Sequence, residues 1–339
     1  AMELTVIAPT NEPGSYKVVV KVGNRTVEGP EFEYTKPELA YTVSSDVHIG
    51  EILGGIHGLA FLPDGRLAVG QRGTAHIIHA FDLQKKEKTT LVEAHNNGHP
   101  WNLEVNPDDK MLYIAYKGSA EIGRINPNQG NNQQVEVVVS GLSNAMDVKF
   151  DSKGNMYVLC RDERKVYKYP KGNFNNASKQ TFVHLSNSLG GLYSMDFDAN
   201  DNLIIGAEND GFYVVTSDGK ATKFAGNGKG STDGEAGQPL TAQLIQPVAI
   251  VVDKTRGDIY FTDPYNHKVR RIRPGAKGYE DATISTVAGT GTGGKQDGDG
   301  SVAQLKMPHG LAMSPDGNTL YFTDLDNYIL RKITITVKD

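Results

Sequence analysis

The chain has 339 residues, enough for one large all-β domain and an accessory segment. Its 35 basic and 40 acidic residues give a net charge of −5 without a clustered basic face, which argues against a protein that binds nucleic acid through the phosphates. No apolar run approaches the length of a membrane-spanning segment, and the single cysteine, Cys160, excludes a disulfide within the chain.

Residues 1–36 predict a short β-rich segment. Three strand-like stretches, LTVIAP, SYKVVVKV and EFEY, are separated by the turn sequences NEPG and GNRTVEGP. This order resembles the second half of an IPT/TIG domain, an immunoglobulin-like module. The segment is too short for a core of its own, because chains below about 40 residues rarely fold alone. We therefore expect a partial IPT/TIG-like segment over residues 1–36 and a main domain over residues 37–339.

The main domain repeats one phrase six times: an apolar strand, a short turn and a second apolar strand, as in GLAFLPDGRLAVG from Gly58. Each phrase predicts a β-hairpin, because Asp, Asn and Gly tolerate the backbone angles of tight turns. A third and a fourth strand follow, for example HKVRRIRP and ISTVAG. Successive units are 44, 45, 47, 55 and 61 residues apart, counted between Leu59, Leu103, Val148, Met195, Ile250 and Leu311. Six four-stranded units predict an all-β, six-bladed β-propeller.

The two ends of the repeat region predict how the ring closes. The sixth unit ends at Asp339 without a clear fourth strand, whereas AYTVSSDV (Ala40–Val47) is a spare strand ahead of the first unit. We expect Ala40–Val47 to complete the last blade, because this closure removes two exposed sheet edges. The alternative is that the strand belongs to the upstream segment.

Two late units resemble the NHL repeat. They read QPVAIVVDKTRGDIYFTDPYNHKVRRI (Gln246–Ile272) and MPHGLAMSPDGNTLYFTDLDNYILRKI (Met307–Ile333), with an inner strand introduced by Pro, an acidic residue and Asn, and an Arg-containing third strand. Gly-Asp loops that end in Ala-Gln-Leu precede both units, as in bacterial NHL proteins. The resemblance extends from about residue 50 onward and implies a propeller of the NHL type.

An IPT/TIG-like segment followed by NHL repeats resembles exported proteins of Bacteroidetes, some of which are surface lipoproteins associated with glycan uptake. The resemblance implies an extracytoplasmic protein, in the periplasm or at the cell surface, with a lipid anchor in the full-length protein. It also implies a small molecule, a glycan or another protein as the partner.

The Gly-Asp loops raise the question of a calcium site. Asp297–Gly300 reads Asp-Gly-Asp-Gly, but an EF-hand loop would need a third oxygen ligand and a final bidentate Glu, which the following SVAQL does not supply. The equivalent loop, Thr232–Gly234, has the same turn character. We interpret both as glycine-rich turns.

Alignment of the inner strands predicts which side chains meet at one mouth of the central channel. These residues are His57, Trp101, Met146, Tyr193, Val248 and His309. Units one and six are neighbours in a closed ring, so His57 and His309 should face each other. Asn102 and Asn144 lie one or two positions away in the sequence. The predicted ligand-binding residues are therefore His57, Trp101, Asn102, Asn144, Tyr193 and His309.

Two kinds of function fit such a mouth. Aromatic rings with His and Asn suit a binding site for a small molecule or sugar. Alternatively, His57 and His309 hold a divalent metal, the one cofactor this pattern suggests, which polarises a substrate oxygen. Six-bladed lactonases resemble this case, although His309 replaces the metal-binding Asn of their Asn-Gly-Leu-Ala phrase. Peptidyl-amidoglycolate lyases, also NHL-type propellers, use channel histidines on zinc.

From these observations we expect a non-catalytic, extracytoplasmic propeller that binds a ligand or a partner, with a glycan connection implied by the resemblance. The alternative is a metal-dependent hydrolase or lyase that acts at the channel mouth.

Overall fold

The chain folds into six β-sheets, arranged as the blades of a propeller, and one separate two-stranded hairpin. In blades 1 to 5 each strand pairs antiparallel with its neighbours in the chain, whereas the sixth blade also contains a strand from the start of the propeller sequence. The expected all-β, six-bladed β-propeller is confirmed. The computed structural model describes residues 14–22, 25–34, 36–47, 55–72, 76–95 and 98–338.

The strand bounds follow the sequence repeats. The first strands are β1 (Gly14–Val22), β2 (Arg25–Tyr34) and β3 (Leu39–Ser44). Blades 1 to 3 contain β4 (Ile56–Phe61), β5 (Leu67–Gln71), β6 (Ile78–Asp82), β7 (Glu87–Val92), β8 (His99–Val105), β9 (Leu112–Lys117), β10 (Glu121–Ile125), β11 (Glu136–Val139), β12 (Ala145–Phe150), β13 (Met156–Cys160), β14 (Lys165–Tyr169) and β15 (Gln180–His184). Blades 4 to 6 contain β16 (Leu192–Phe197), β17 (Leu203–Ala207), β18 (Gly211–Val215), β19 (Ala221–Ala225), β20 (Ile250–Val252), β21 (Ile259–Asp263), β22 (Lys268–Gly275), β23 (Gly278–Ala288), β24 (Gly298–Asp299), β25 (Pro308–Met313), β26 (Thr319–Asp324) and β27 (Ile329–Val337). Single 3-10 turns lie at Asn176–Ser178, Pro239–Thr241, Pro264–Asn266 and Leu325–Asn327.

Burial between blades explains the apolar runs of the second strands. Every residue of β5, β13, β17 and β21 is buried, because neighbouring sheets cover both faces. Aromatic rings fill the space between sheets: Tyr157 of blade 3 meets Phe197 of blade 4 with ring centroids 4.9 Å apart. Phe212 of blade 4 meets Phe261 of blade 5 at 4.7 Å. These edge-to-face contacts hold adjacent blades together.

The sixth blade is built from both ends of the propeller sequence. Strand β3 pairs antiparallel with β27 over six residue pairs, from Lys332–Ser44 to Val337–Leu39. Two side chains of β3, Leu39 and Val43, are buried in the core of this blade. The short strand β24 covers the other edge of β3. The inner strand of blade 6, β25, lies beside β4 of blade 1, so this pairing brings the last and first blades into contact.

Buried arginines fasten the Gly-Asp loops to blades 5 and 6. Arg331 is fully buried and bonds Asp324 at 2.8 Å and Asp297 at 2.6 Å. Arg270 occupies the equivalent place in blade 5 and bonds Asp263 at 3.2 Å and Asp233 at 2.8 Å. The loop carboxylates Asp233 and Asp297 are thus ion-pair partners of these arginines. This arrangement gives the loops a structural role and agrees with the interpretation of glycine-rich turns.

The N-terminal segment is described in part. Strands β1 and β2 form an antiparallel hairpin with Gly14 opposite Tyr34. The predicted first strand, LTVIAP, lies outside the described residues. In the described part of the chain, no helix is both long enough and apolar enough to cross a bilayer.

Candidate ligand-binding site at the channel mouth

The inner strands bring three of the predicted residues into direct contact at one mouth of the channel. The rings of His57 on β4 and Trp101 on β8 stack with centroids 4.7 Å apart. His309 on β25 meets Trp101 edge-on at 4.8 Å and His57 at 4.3 Å. Trp101 also packs against an apolar cluster that contains Met146, Tyr193 and Val248. All six residues of the aligned position therefore belong to one continuous group of contacts.

Two glycines allow the inner strands to approach this closely. A Cβ on Gly310 would lie 1.7 Å from the carbonyl oxygen of His57, and a Cβ on Gly58 would lie 2.8 Å from Cα of Asn102. Neither distance leaves room for a side chain. The glycine that follows each histidine therefore permits the contact between blades 6 and 1 and between blades 1 and 2.

The two histidines share one hydrogen bond. Their Nδ1 atoms are 3.2 Å apart, so one ring donates a proton and the other accepts it. Burial lowers the pKa of His57 to about 3, assisted by the nearby charges of Arg72, His99 and Lys117. Burial also lowers the pKa of His309 well below its ordinary value. Both rings are therefore neutral at physiological pH.

These pKa values predict a loss of stability in acid. A histidine whose pKa is lowered on folding stabilises the protein above its unfolded value of 6.5, and this contribution is lost as the pH falls toward the folded value. Between pH 7 and pH 5, the free energy of unfolding should fall by about 2 kcal/mol more in the unsubstituted protein than in His57→Gln. Urea denaturation at both pH values measures the difference. Equal losses in the two proteins would contradict the assignment of a buried neutral His57.

Two buried polar atoms of the cluster have no hydrogen-bond partner among the described residues: Nε2 of His57 and Nε1 of Trp101. Leaving such a group unpaired costs about 1–3 kcal/mol. The ammonium group of Lys117 lies over the indole ring, with its Nζ 4.1 Å from the ring centroid. The indole N–H, a ring nitrogen of His57 and a cation thus meet at Trp101, which is the composition of a ligand site.

Asn102 faces the neighbouring blade. Its side-chain amide donates to Oδ1 of Asp147 at 2.6 Å, and its carbonyl oxygen accepts from the backbone of Leu103 at 2.9 Å. Asp147 continues the chain of bonds, because its Oδ2 accepts from the backbone of Met195 in blade 4 at 2.8 Å. Burial raises the pKa of Asp147 to about 7. The structure therefore places Asn102 in a set of bonds that tie blades 2, 3 and 4 together.

Asn144 and Tyr193 lie at the blade 3 and blade 4 side of the mouth. The amide of Asn144 bonds Asp162, and Asp162 in turn holds Arg161 at 2.8 Å. Arg161 also lies over the ring of Tyr193, 4.9 Å from its centroid. These two predicted residues thus contact an arginine of the rim, whereas His57, Trp101 and His309 contact one another.

His57 and His309 are also the residues predicted to hold a divalent metal. Within the described residues, no group of three or more His, Cys, Asp or Glu side chains is arranged to hold a metal ion. A catalytic zinc site takes three protein ligands. Two further histidines, His76 and His99, have their Nδ1 atoms 3.1 Å apart, and they too form a pair.

The opposite end of the channel contains charged side chains in place of the aromatic cluster. A cavity of about 340 Å³ is lined there by Glu104, Lys149, Asp196 and Lys254. Lys149 bonds Glu104 at 2.6 Å, and both oxygens of Asp196 accept backbone hydrogen bonds, from Phe197 and from Val252 of blade 5. Lys149 and Glu104 therefore compensate each other, and Asp196 fastens adjacent blades.

Alignment of the inner strands alone missed a set of charged residues at the mouth. These residues share the position at which the second strand of each blade ends. The position is the last residue of β9 in blade 2 and the residue after the second strand in the other three blades: Arg72 (blade 1), Lys117 (blade 2), Arg161 (blade 3) and Glu208 (blade 4). The matching residues of blades 5 and 6 are uncharged. These charged residues can be found in the sequence by aligning the second strands of the repeats instead of the inner strands.

No family model matches the chain. The chain is 26% identical over 245 residues to protein SUPPRESSOR OF QUENCHING 1, chloroplastic, of Arabidopsis thaliana, covering 70% of this chain and 19% of that protein. It is 29% identical over 103 residues to NHL repeat-containing protein 2 of Homo sapiens, covering 30% of this chain and 14% of that protein. The chain therefore has NHL-repeat homology, and it spans less than a fifth of the length of these relatives.

Solved structures share the fold over most of the chain. A protein of unknown function from Bacteroides thetaiotaomicron VPI-5482 aligns with a TM-score of 0.71 at 19% identity, over 97% of this chain and 84% of that chain. An auxiliary nutrient binding protein from the same organism aligns with a TM-score of 0.67 at 17% identity, over 95% and 83%. Virginiamycin B lyase from Staphylococcus aureus aligns at 0.58 and 14%, over 89% and 100%. At these identities the likeness shows the propeller fold alone.

Proposed function

We propose that this protein is a non-catalytic, extracytoplasmic propeller that binds a small molecule at the mouth formed by His57, Trp101 and His309, with a carbohydrate as the leading candidate. One observation carries the proposal: three rings from blades 6, 1 and 2 converge there, with two buried polar atoms that no described residue satisfies. Such atoms are the groups that a ligand hydroxyl or oxyanion would bond.

Binding fits the chemistry of the mouth better than catalysis. The Nδ1 atoms of His57 and His309 are engaged with each other, and the described residues offer no third metal ligand beside them. Cys160 is the single cysteine of the chain. Its thiol is buried, and burial raises its pKa to about 12. A neutral thiol is a poor nucleophile.

Solved structures with the same fold also support a binding function. Two of them are auxiliary nutrient binding proteins of Bacteroides species, each aligned over 95% of this chain. From them, and from the resemblance of residues 1–36 to an IPT/TIG segment, we extend the proposal to location: the periplasm or the cell surface, with a lipid anchor in the full-length protein. Residues 37–339 form the binding domain in this proposal.

A fluorescence titration with metal analysis tests the proposed function. Trp101 is the only tryptophan, so its emission reports the mouth directly. We expect saturable changes in emission with at least one member of a panel of neutral and acidic monosaccharides and their oligomers. His309→Ala should weaken that binding by about tenfold or more, since it opens a contact at the ring cluster. His184→Ala, an exposed histidine on the outer strand of blade 3, is the matched control.

Two results would overturn this function. One is a stoichiometric divalent metal in the purified protein that is lost in His57→Ala or His309→Ala, which would favour the metal-dependent hydrolase or lyase. The other is a complete lack of response of Trp101 to the panel.

A further inference from the structure

We propose that the ligand of this mouth carries an oxyanion group, a carboxylate or a phosphate, which is bound by Lys117 together with Arg72. The inference rests on the proposed function and adds the chemical class of the ligand. It comes from the second strands of the blades, which the alignment of inner strands did not consider.

The three cations occupy the same structural position in three consecutive blades. Within each blade they follow the strand that pairs with the inner strand: Arg72 comes after β5, Lys117 ends β9, and Arg161 comes after β13. Equivalent positions in three neighbouring blades place these cations on the same side of the mouth, and the positive charges of Arg161 and Arg72 help to lower the pKa of Lys117. One sector of the mouth is therefore basic in a chain with a net charge of −5.

Lys117 has the least compensated environment of the three. Its ammonium group is half-buried over the indole of Trp101, 4.1 Å from the ring centroid. No carboxylate of the described residues forms an ion pair with it. Burial and the repulsion of Arg161 and Arg72 lower its pKa, in that order, and the negative charge of Asp162 opposes them. A half-buried cation without a counterion favours the binding of an anion.

The other two cations differ in how much charge they leave free. Arg161 is paired with Asp162 at 2.8 Å and Glu208 at 3.3 Å, so its charge is compensated. Arg72 is exposed and, among the described residues, forms no ion pair. The uncompensated positive charge is thus concentrated on Arg72 and Lys117, on the blade 1 and blade 2 side of the mouth, where His57 and Trp101 lie.

The neighbouring histidines are neutral and add no charge to that of Lys117 and Arg72. Burial lowers the pKa of His57, His76, His99 and His309, and the positive charge of Arg72 lowers each of them further. Neutral rings can accept or donate hydrogen bonds to the uncharged part of a ligand. An oxyanion on Lys117, with the rest of the ligand against the rings, uses both kinds of group, because ammonium and guanidinium groups are the usual partners of carboxylates and phosphates.

Three ligands with the same sugar ring test the inference: glucose, glucuronate and glucose 6-phosphate. Binding is followed by Trp101 fluorescence at low ionic strength. We expect at least one of the two anions to bind about tenfold or more tightly than glucose, and to lose affinity as salt is raised. The comparison of glucuronate with glucose 6-phosphate shows whether the site prefers a carboxylate or a phosphate. Lys117→Met should remove most of this preference.

Two further variants keep the test decisive. Arg72→Gln changes an exposed side chain, so it should reduce the preference for the anion even if Lys117→Met fails to fold. Lys179→Met is the matched control, because Lys179 lies over the ring of Tyr167 at 4.8 Å, outside the mouth, and it should leave the preference unchanged.

The outcomes separate this inference from the proposed function. Equal affinity for all three sugars would overturn the oxyanion inference and leave the proposed binding site standing. Preference for the anion that survives in both Lys117→Met and Arg72→Gln would overturn the assignment of these cations. If no anion and no neutral sugar changes the emission of Trp101, both proposals fail.

Discussion

A chain that begins at residue 48, and so lacks β3, should lose about 5 kcal/mol or more of its free energy of unfolding relative to a chain that begins at residue 36. Removing β3 exposes the apolar surface that Leu39 and Val43 bury, worth about 1.5–3 kcal/mol for each side chain. It also removes the backbone pairing with β27 and leaves that strand as an open edge. Urea denaturation of the two shortened chains measures the difference.

The comparison includes its own control. In our proposed division of the chain, residues 1–36 lie outside the propeller, so the chain that begins at residue 36 keeps the whole propeller and should unfold at nearly the same urea concentration as the full chain. If the chain that begins at residue 48 is equally stable, β3 does not close the ring. If the chain that begins at residue 36 is already strongly destabilised, the proposed division is wrong.

Arg331→Met should lower the free energy of unfolding by about 3–5 kcal/mol. The guanidinium of Arg331 is fully buried and bonds Asp324, which is also fully buried. Loss of the cation would leave a charged carboxylate inside blade 6, and it would release Asp297 and its loop. Methionine fills a similar volume, so the cost reflects the lost partner rather than a cavity.

An exposed ion pair provides the control for this substitution. Arg124 bonds Glu136 at 2.7 Å on the surface of blade 2, and Arg124→Met should cost about 1 kcal/mol or less. Both variants are measured by urea denaturation with linear extrapolation. Similar small losses in the two variants would show that the Arg331 network contributes little to the stability of blade 6.

Much of this architecture is predictable because each repeat carries its own local signal. An Asp- or Gly-containing turn between two apolar runs defines a hairpin, and six such hairpins define the blades. The contact between His57 and His309 follows from register, because equivalent residues of neighbouring inner strands must lie at the same height in the channel. Gly58 and Gly310, which stand next to the two histidines in the sequence, make the close approach possible.

Other features depend on partners that are distant in sequence. The sequence around Asp297 predicts a glycine-rich turn. In the structure its carboxylate bonds Arg331, 34 residues away, and the backbone of Ser45, 252 residues away. Asn102 stands beside Trp101 in the sequence, but its side chain turns toward Asp147 in the next blade. Alternation along a strand predicts that Asn102 and Trp101 point to opposite faces, but the local pattern does not show which residue of the next blade Asn102 meets.

The cations of the mouth illustrate a third case. Arg72, Lys117 and Arg161 are visible once the second strands are aligned, but their significance depends on their counterions. Only the three-dimensional structure shows that Asp162 and Glu208 compensate Arg161, whereas Lys117 lies over Trp101 without an ion pair among the described residues. A cation at the same position of the repeat therefore has different consequences in adjacent blades.

The most direct test of the binding site observes the Nε1–H of Trp101, the only indole N–H in the protein. In the ¹H–¹⁵N spectrum of labelled protein it gives one cross-peak, which can be followed during a titration with glucuronate, glucose 6-phosphate and glucose. A ligand in the mouth should shift this peak saturably, more strongly for an anion than for glucose, and the shift should be reduced in Lys117→Met. A ligand that shifts backbone peaks of other regions while the indole peak stays in place would contradict a binding site at the channel mouth.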